Sequence, residues 1–509
     1  MSDYTLKNKK GYVLKPEQNE IVEALLQNDF YFNFAQTGFG KTLTTLTAAV
    51  HTANNRKDED IHFVLLLPNS AVKAFVDTIS GQLGLDYNIY TATNTRAKEN
   101  ARFHIFNYST LGKNLFEKNK PMLNPYFNYL KELKQKHQNL WLIADEAHAL
   151  QDPNTIQYKT VSVIRPWFVG MWFMTATPIL NNLDGFFYMV DLVKPGFFKN
   201  IYSFKNTFEE LEKKTIWKTM RGGHKKAINT YEIVGYKNLD LLAEKTNEVG
   251  IVRAKTYDIE FNYRETELSN FMKQYYKWAA EGLFSGTNKK GKGSKTSKQE
   301  HAGARLHDLQ RVVSNSHKDF KALDKNKLTE KELLLIKTIE EVIERNEAVL
   351  VYFSYLETLE RIKYILQRIK NKFDIPTIHE ISGNINQAKR KMVESGIKPR
   401  DVVLITSAGT ESINLQKANN LVFYETPFPL REFIQACGRI ARTNSTYEKF
   451  NVYVLEAKGT IDTYKKNRII SNSTAIKAVL GSSNILPTEI LNINLADKNA
   501  MKDEYLWWK

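Results

Sequence analysis

Asn33-Phe34-Ala35-Gln36-Thr37-Gly38-Phe39-Gly40-Lys41-Thr42 follows the apolar run Phe30 to Phe34 and precedes Leu43 to Val50, a stretch of helix-compatible residues. The pattern is a strand, a tight glycine turn, and a helix opening on Lys-Thr, which is the setting a phosphate-binding loop requires. Thr37, Gly38 and Gly40 form the turn, where glycine lets backbone N–H groups approach phosphate oxygens. The helix N-terminus adds unpaired donors and a favourable dipole. Lys41 would reach the terminal phosphates, and Thr42 would ligate a magnesium ion. Ala35 stands where the general pattern has its first glycine, so the bland alternative is a plain glycine turn before a helix.

The 509 residues suggest about three domains. A hydrophobic fraction of 42% is enough for several ordinary cores and excludes a chain disordered throughout. Lys and Arg number 72 against 56 Asp and Glu, and the net charge of +16 favours a polyanionic partner, nucleic acid first. A merely soluble basic protein has the same composition. Cys437 is the one cysteine, so intramolecular disulfides and cysteine-cluster metal sites are excluded, which suits a reducing compartment. Met1 to Lys10 lacks the apolar segment of a signal peptide, and no apolar run approaches the ~18 residues of a membrane span. The expectation is a soluble protein of the cytoplasm without a membrane partner.

Upstream of the loop, Leu14 to Leu26 reads as a helix with Pro16 in its first turn. Gln18, within Leu14-x-Pro16-x-Gln18, is a candidate adenine reader, because an amide matches both the acceptor and the donor on that base edge. A solvated helix glutamine is the alternative. Downstream, His62 to Leu67 ends at Pro68 and reads as a buried parallel strand, Ala71 to Ile79 as a helix, and Ala101 to Phe106 as another strand. This alternation predicts a doubly wound parallel sheet, in which ligands gather at the carboxyl ends of strands. Asn69, Ser70 and Ser109 follow strands and are candidate ligand contacts; each alone is equally an ordinary loop residue or helix cap.

Leu140-Trp141-Leu142-Ile143-Ala144 then delivers Asp145 and Glu146 at a strand end. Nucleotide hydrolysis needs both: Asp145 to hold magnesium, partly through water, and Glu146 to orient and deprotonate the attacking water. Successive residues on a strand point apart, so one can serve the metal and the other the water. A third apolar strand runs into Thr175-Ala176-Thr177-Pro178.

In this order, the phosphate loop, Asp145-Glu146-Ala147-His148 and Thr175-Ala176-Thr177-Pro178 resemble the superfamily 2 helicases and translocases. Thr177-Pro178-Ile179-Leu180-Asn181-Asn182-Leu183 and Leu192 to Phe198 resemble the Swi/Snf-type duplex DNA translocases, with Leu180 in place of the usual glutamine. The resemblance accepts a small residue at Ala35. It resumes at Ala348 to Phe353, at Ile381-Ser382-Gly383, and at Asp401 to Ile405 leading into Thr406-Ser407-Ala408-Gly409-Thr410-Glu411-Ser412-Ile413-Asn414. Gln435-Ala436-Cys437-Gly438-Arg439-Ile440-Ala441-Arg442 matches the family's Gln-x-x-Gly-Arg-x-x-Arg. Two arginines three apart lie on one helix face and can pair bidentately with phosphate. Cys437 reads as packing.

The resemblance covers roughly residues 12–195 and 335–460. It implies an α/β fold of two tandem RecA-like P-loop domains, 1–198 and 331–470, with ATP in the cleft between them. Lys41, Thr42, Asp145 and Glu146 would act from one side, and Gln435, Arg439 and Arg442 from the other. It implies DNA contacts at Asn69, Ser70, Ser109, Ser382, Thr406 and Asn414. Residues 199–330 would be a mainly helical, basic insertion, as in that family, and 471–509 a helical tail ending in Trp507-Trp508. Within the insertion, Lys213 to Lys226 holds six Lys or Arg and no acid. Arg221-Gly222-Gly223-His224 reads there as the turn of a basic hairpin near 213–234, whose Trp217, Lys218 and Arg221 are candidate DNA contacts. A solvated surface hairpin is the alternative. Lys289 to Lys298 reads as a basic loop, and Val252-Arg253-Ala254-Lys255 resembles weakly the family's Arg-Arg-x-Lys run.

The functional expectation is a monomeric, magnesium- and ATP-dependent DNA helicase acting on duplex, forked or branched replication and recombination intermediates, of the compact kind found in bacteriophages. The alternatives are a duplex translocase that remodels protein–DNA complexes, an RNA helicase, and a nucleic-acid scaffold without turnover.

Overall fold

The computed structural model describes residues 13–480 apart from 37, 57–58, 92–93, 99, 112–124, 180–182, 220–224, 254–256, 281–301, 316–326, 408–414 and 442–444. The chain forms two compact units, the first running to Lys255 and taking in Thr474–Asn484 as well, the second spanning Thr256–Ser473.

The first unit is built on β1 (Phe30–Asn33), β2 (Ile61–Leu67), β3 (Tyr87–Thr91), β4 (Asn94–Arg96), β5 (Phe103–Asn107), β6 (Asn139–Asp145) and β7 (Phe168–Met174). β8 (Glu209–Thr219) and β9 (Lys225–Tyr236) form a separate antiparallel hairpin, and β10 (Gly250–Ile251) returns to the sheet. The sheet order is β10-β1-β7-β6-β2-β5-β3-β4, and every pairing is parallel except β3 with β4. β2 is buried along its whole length, as its apolar run from Phe63 to Leu67 requires when both faces are covered. Leu46, Ala49, Phe63, Leu65, Trp141, Ile143 and Trp172 belong to one core cluster beneath the helices Pro16–Leu26 and Lys41–Asn55. Gly170 on β7 makes this packing possible: a Cβ there would stand 2.4 Å from the Trp141 ring.

The second unit carries β11 (Asp258–Thr266), β12 (Val349–Phe353), β13 (Ile378–Ile381), β14 (Val402–Thr406), β15 (Asn420–Phe423) and β16 (Lys449–Ala457). Their order is β11-β16-β15-β12-β14-β13, wholly parallel. The helices Glu330–Glu344 and Leu356–Ile369 supply Leu335, Ile339, Val342, Leu359, Ile362 and Leu366 to its core. A capping box between Thr329 and Glu332 starts the first of these helices.

Two doubly wound parallel sheets, one per unit, are the α/β architecture expected from the sequence. The stretch expected as an insertion carries the helices Ile201–Phe208, Leu239–Val249, Asn270–Ala280 and Ala302–Ser314 and the β8–β9 hairpin. It also adds an edge strand to each sheet, β10 beside β1 and β11 beside β16. By its contacts, the part of this stretch up to Lys255 belongs with the first unit. Two paired residues, Gly250 and Ile251, are too short a strand to be legible as a pattern. Among the described residues no helix is long and apolar enough to cross a membrane.

Candidate nucleotide site and nucleic-acid-facing residues

Parallel pairing places the carboxyl ends of the first unit's strands along one edge. Asn33 of β1 and Asp145 of β6 both pair with Met174 of β7, Ala144 pairs with Leu66, and Leu67 with Asn107. The phosphate loop, Asn69 and Ser70, Ser109, Asp145 and Glu146, and Thr175 to Thr177 consequently leave the sheet on the same side. Asn69, Ser70 and Ser109 are exposed there.

The loop is braced from beneath. The fully buried Asn33 donates to Thr45 Oγ1 at 3.2 Å and accepts from Ala35 N at 3.1 Å. Phe34 N donates to Ile251 O at 2.9 Å and Gln36 N to Arg253 O at 2.8 Å, so the segment after β10 clamps the entry to the turn. Arg253 is itself held by Glu20 at 2.7 Å. Gly38 and Gly40 sit at φ +86° and +87°, the left-handed region that glycine alone enters freely. Gln18, read as an adenine contact, is buried and engaged at both ends. Its Oε1 accepts from Lys15 N at 3.0 Å, and its Nε2 donates to Phe39 O at 3.0 Å. It braces the loop as well as facing it.

Lys41 opens the helix Lys41–Asn55 and donates to Ala35 O at 2.9 Å, with Thr42 beside it. Burial pushes the Lys41 ammonium below its ordinary range, against the pull of Glu146 and then Asp145. Burial, reinforced by Glu146 and opposed by Lys41, pushes the Asp145 carboxyl up to about 7. Two carboxylates and one ammonium crowded in low dielectric leave an excess of negative charge, which a divalent cation would offset. Together with the glycine cradle, this donor set fits a magnesium–nucleotide complex.

Glu146 adopts φ +50°, uncommon outside glycine and of the kind that concentrates at functional sites. His148 Nδ1 lies 3.0 Å from Glu146 Oε2, and 3.4 and 3.5 Å from the hydroxyls of Thr175 and Thr177. All three partners of Glu146's neighbourhood, His148, Thr175 and Thr177, are buried. Thr175 N in turn donates to Asn33 O at 3.2 Å, and the Tyr108 hydroxyl to Asp145 O at 2.8 Å. His148 was visible in the sequence as the last letter of Asp-Glu-Ala-His but had no assigned role. Tyr108, Asn33 and Glu20 carried no signal, because their partners lie far along the chain.

In the second unit, Gln435 and Arg439 share one face of the helix Leu430–Ile440, Gln435 half-buried and Arg439 9% exposed. That helix ends at Ile440 and Ala441 is extended, so of the two arginines expected on one face Arg439 is the one that falls within the described helix. Ser382, read as a DNA contact, is fully buried and donates to Glu380 Oε1 at 2.8 Å; Thr406 is also buried. Cys437 is buried, as a packing residue should be, and its thiol is pushed far up by that burial. Thr37, Arg221, Asn414, Arg442, the 289–298 loop and Trp507-Trp508 lie outside the described residues. Trp217 and Lys218 lie on β8, but their side chains are likewise not described.

The SNF2-related domain family matches residues 34–229, and the helicase conserved C-terminal domain matches residues 330–444; together they span more than half of the chain. An uncharacterized ATP-dependent helicase YqhH of Bacillus subtilis is 23% identical, over 69% of this chain and 61% of that protein. A Caenorhabditis elegans chromodomain-helicase-DNA-binding protein 3 homolog is 22% identical, over 67% of this chain and 19% of that protein. The Arabidopsis thaliana protein CHROMATIN REMODELING 5 is 21% identical, over 86% and 25%. The chain thus spans about three-fifths of the bacterial relative and a quarter or less of these eukaryotic ones. Among solved structures, the Sulfolobus solfataricus SWI2/SNF2 ATPase core in complex with dsDNA aligns over 95% of this chain and 97% of that one, at 17% identity and a TM-score of 0.39. With an SNF2-related domain followed by a helicase C-terminal domain, this chain belongs to the Snf2-type branch of the superfamily 2 helicases and translocases.

Proposed function

We propose that the protein is a DNA-dependent ATPase that converts hydrolysis into movement along DNA. The observation that carries this reading is the trio Lys41, Asp145 and Glu146 on the strand-end edge, with Asp145 buried and the half-exposed Glu146 held in a left-handed turn against His148. A loop that closes on phosphate, beside a carboxylate desolvated enough to need a cation, has little use in a passive scaffold. Lys41 would pair with the terminal phosphates, and Thr42 and Asp145 would hold Mg²⁺, which when bound polarises the transferred phosphoryl group. Glu146, oriented by His148, would take the proton of the attacking water. Gln435, Arg439 and Arg442 are assigned to completing turnover, by their match to the family pattern. Gln18 and Thr37 are assigned to the nucleotide, and the strand-end residues Asn69, Ser70, Ser109, Thr406 and Asn414 to DNA or to coupling.

The net charge of +16 and the DNA-binding and remodelling relatives support DNA as the polymer. The basic β8–β9 hairpin, with Trp217 and Lys218 on β8, favours a further step: separation or migration of strands at forked or branched DNA. Translocation on duplex that displaces bound protein, the alternative, would need no such wedge.

The test is ATP turnover by the full chain with single-stranded, duplex, forked and four-way DNA and with RNA, beside strand displacement on the fork. DNA-stimulated turnover that disappears in Glu146→Gln is expected. Turnover retained in that variant would contradict the assignment, and displacement absent while duplex-stimulated turnover persists would favour the duplex translocase.

A further inference from the structure

The amino ends of the first unit's strands, at the edge opposite the phosphate loop, gather histidines that nucleotide chemistry does not use. His62 is the second residue of β2 and His104 the second of β5. His137 stands between the helix Pro125–Lys136 and β6, and the pairing of Ile61 with Asn139 brings it beside the entry of β2. Asp60 precedes that strand and joins both rings. Its Oδ1 lies 3.2 Å from His62 Nε2, and its Oδ2 contacts His137 Nδ1 directly. The two imidazoles face each other with centroids 3.6 Å apart.

We propose that Asp60, His62 and His137 form a binding site for a divalent first-row transition-metal ion of the zinc type. One donor atom from each residue lies within 4.8 Å of the other two. Bonds of about 2.0–2.2 Å to nitrogen and oxygen put donors on one ion roughly 3–4 Å apart, so side-chain rotation alone closes the difference. The freedom is where it is needed: the Asp60 side chain is 61% exposed and can step outward to admit an ion, whereas His62 is 7% exposed and fixed. Two imidazole nitrogens and one carboxylate oxygen suit zinc, nickel, copper or iron; the all-oxygen shells of magnesium and calcium do not resemble them.

The surroundings resemble the outer shell of such sites. A metal-bound histidine normally has its other ring nitrogen in a hydrogen bond that sets the ring's orientation. His62 Nδ1 lies 3.0 Å from His104 Nε2, which turns Nε2 toward Asp60. His104 is buried and is held in turn by the Asn88 amide and the Tyr129 hydroxyl, both 3.3 Å from its Nδ1. An ion here would tie the start of β2 to the approach to β6, across 77 residues of chain. Binding to the folded state alone would raise stability by mass action.

The experiment uses the full chain, stripped with a chelator and free of nucleotide and magnesium. ZnCl₂ is titrated in competition with a chromophoric chelator, Co²⁺ is added as a visible-absorbing probe, and melting is followed with and without Zn²⁺. His137→Gln and Asp60→Asn alter side chains that are at least partly exposed, so the fold should persist, and melting of the metal-free variants checks this. One saturable equivalent of Zn²⁺ is expected, with a Co²⁺ spectrum lacking thiolate charge transfer and a Zn²⁺-dependent rise in melting temperature. Each variant should weaken binding by at least about tenfold and lose the rise in melting temperature. Absence of saturable Zn²⁺ binding, or equal affinity in wild type and both variants, would overturn the site and reduce the cluster to a hydrogen-bonded Asp–His pair.

Discussion

Gly40→Ala tests whether the phosphate loop is held open by geometry or merely tolerates it. Gly40 has φ +87°, where an L residue costs ~1–2 kcal/mol. A Cβ there would lie 2.6 Å from Gln18 Nε2, well inside contact. The far end of a glutamine would ordinarily swing aside at little cost. This one is buried and bonded at both ends, to Phe39 O and Lys15 N, so yielding sacrifices one or both bonds at ~0.5–1.5 kcal/mol each. The sum is a destabilisation of the first unit by roughly 2–4 kcal/mol. Urea unfolding followed by tryptophan emission reports this unit, because Trp141 and Trp172 are both fully buried in it. Gln18→Ala removes the obstacle, so the double variant should be less destabilised than the sum of the singles, by about 1 kcal/mol. A loss below about 0.5 kcal/mol in Gly40→Ala, or additivity within about 0.3–0.5 kcal/mol, would refute the clash.

The remaining predictions concern both units. His148→Ala should lower the kcat of ATP turnover by about tenfold with little change in KM, since its contact in the site is with the proposed base Glu146; a rise in KM with kcat unchanged would remove it from a role in orienting that base. Trp217→Ala combined with Lys218→Ala should reduce strand displacement more than basal ATP hydrolysis, and equal losses in a fork assay would end the wedge reading. In the second unit, burial pushes the Lys465 ammonium down to about 8, against the pull of Glu425 and Asp462. A lysine lowered in the folded state stays charged in the unfolded chain up to its ordinary value, so stability rises with pH between about 8 and that value, by up to ~3 kcal/mol. Denaturant midpoints at pH 7 and 9.5 should show this slope in the wild type and a flatter one in Lys465→Met; identical slopes would show that Lys465 does not carry it.

Much of the fold was legible because its signals are local. The runs Phe30 to Phe34, His62 to Leu67 and Leu140 to Ala144 are predominantly apolar, and each became a buried strand within two residues of where the pattern placed it. The polar residues that end them fell on one edge because parallel strands all point the same way. The edge strands β10 and β11 were not legible. The first is two residues long, and the second, Asp258–Thr266, alternates polar and apolar residues only as far as Tyr263, a strand signal lost within a stretch read as mainly helical. Ser382 was read as a DNA contact from its place in a motif; its burial, with the hydroxyl donating to Glu380, was not legible there.

The sequence by itself determined the strand-turn-helix at Ala35 to Thr42, the carboxylates Asp145 and Glu146, and the family. Each is a short-range arrangement whose chemistry depends on spacing. Tertiary structure decided what those residues experience. It tied Gln18, read as an adenine contact, to the phosphate loop, placed His148 against Glu146, and clamped the turn through Arg253 O. It also brought together Asp60, His62 and His137, which are unremarkable in the sequence, at the opposite edge of the sheet. Burial and long-range pairing depend on strand register, and register is set by the packing of the whole sheet, beyond the reach of any local window.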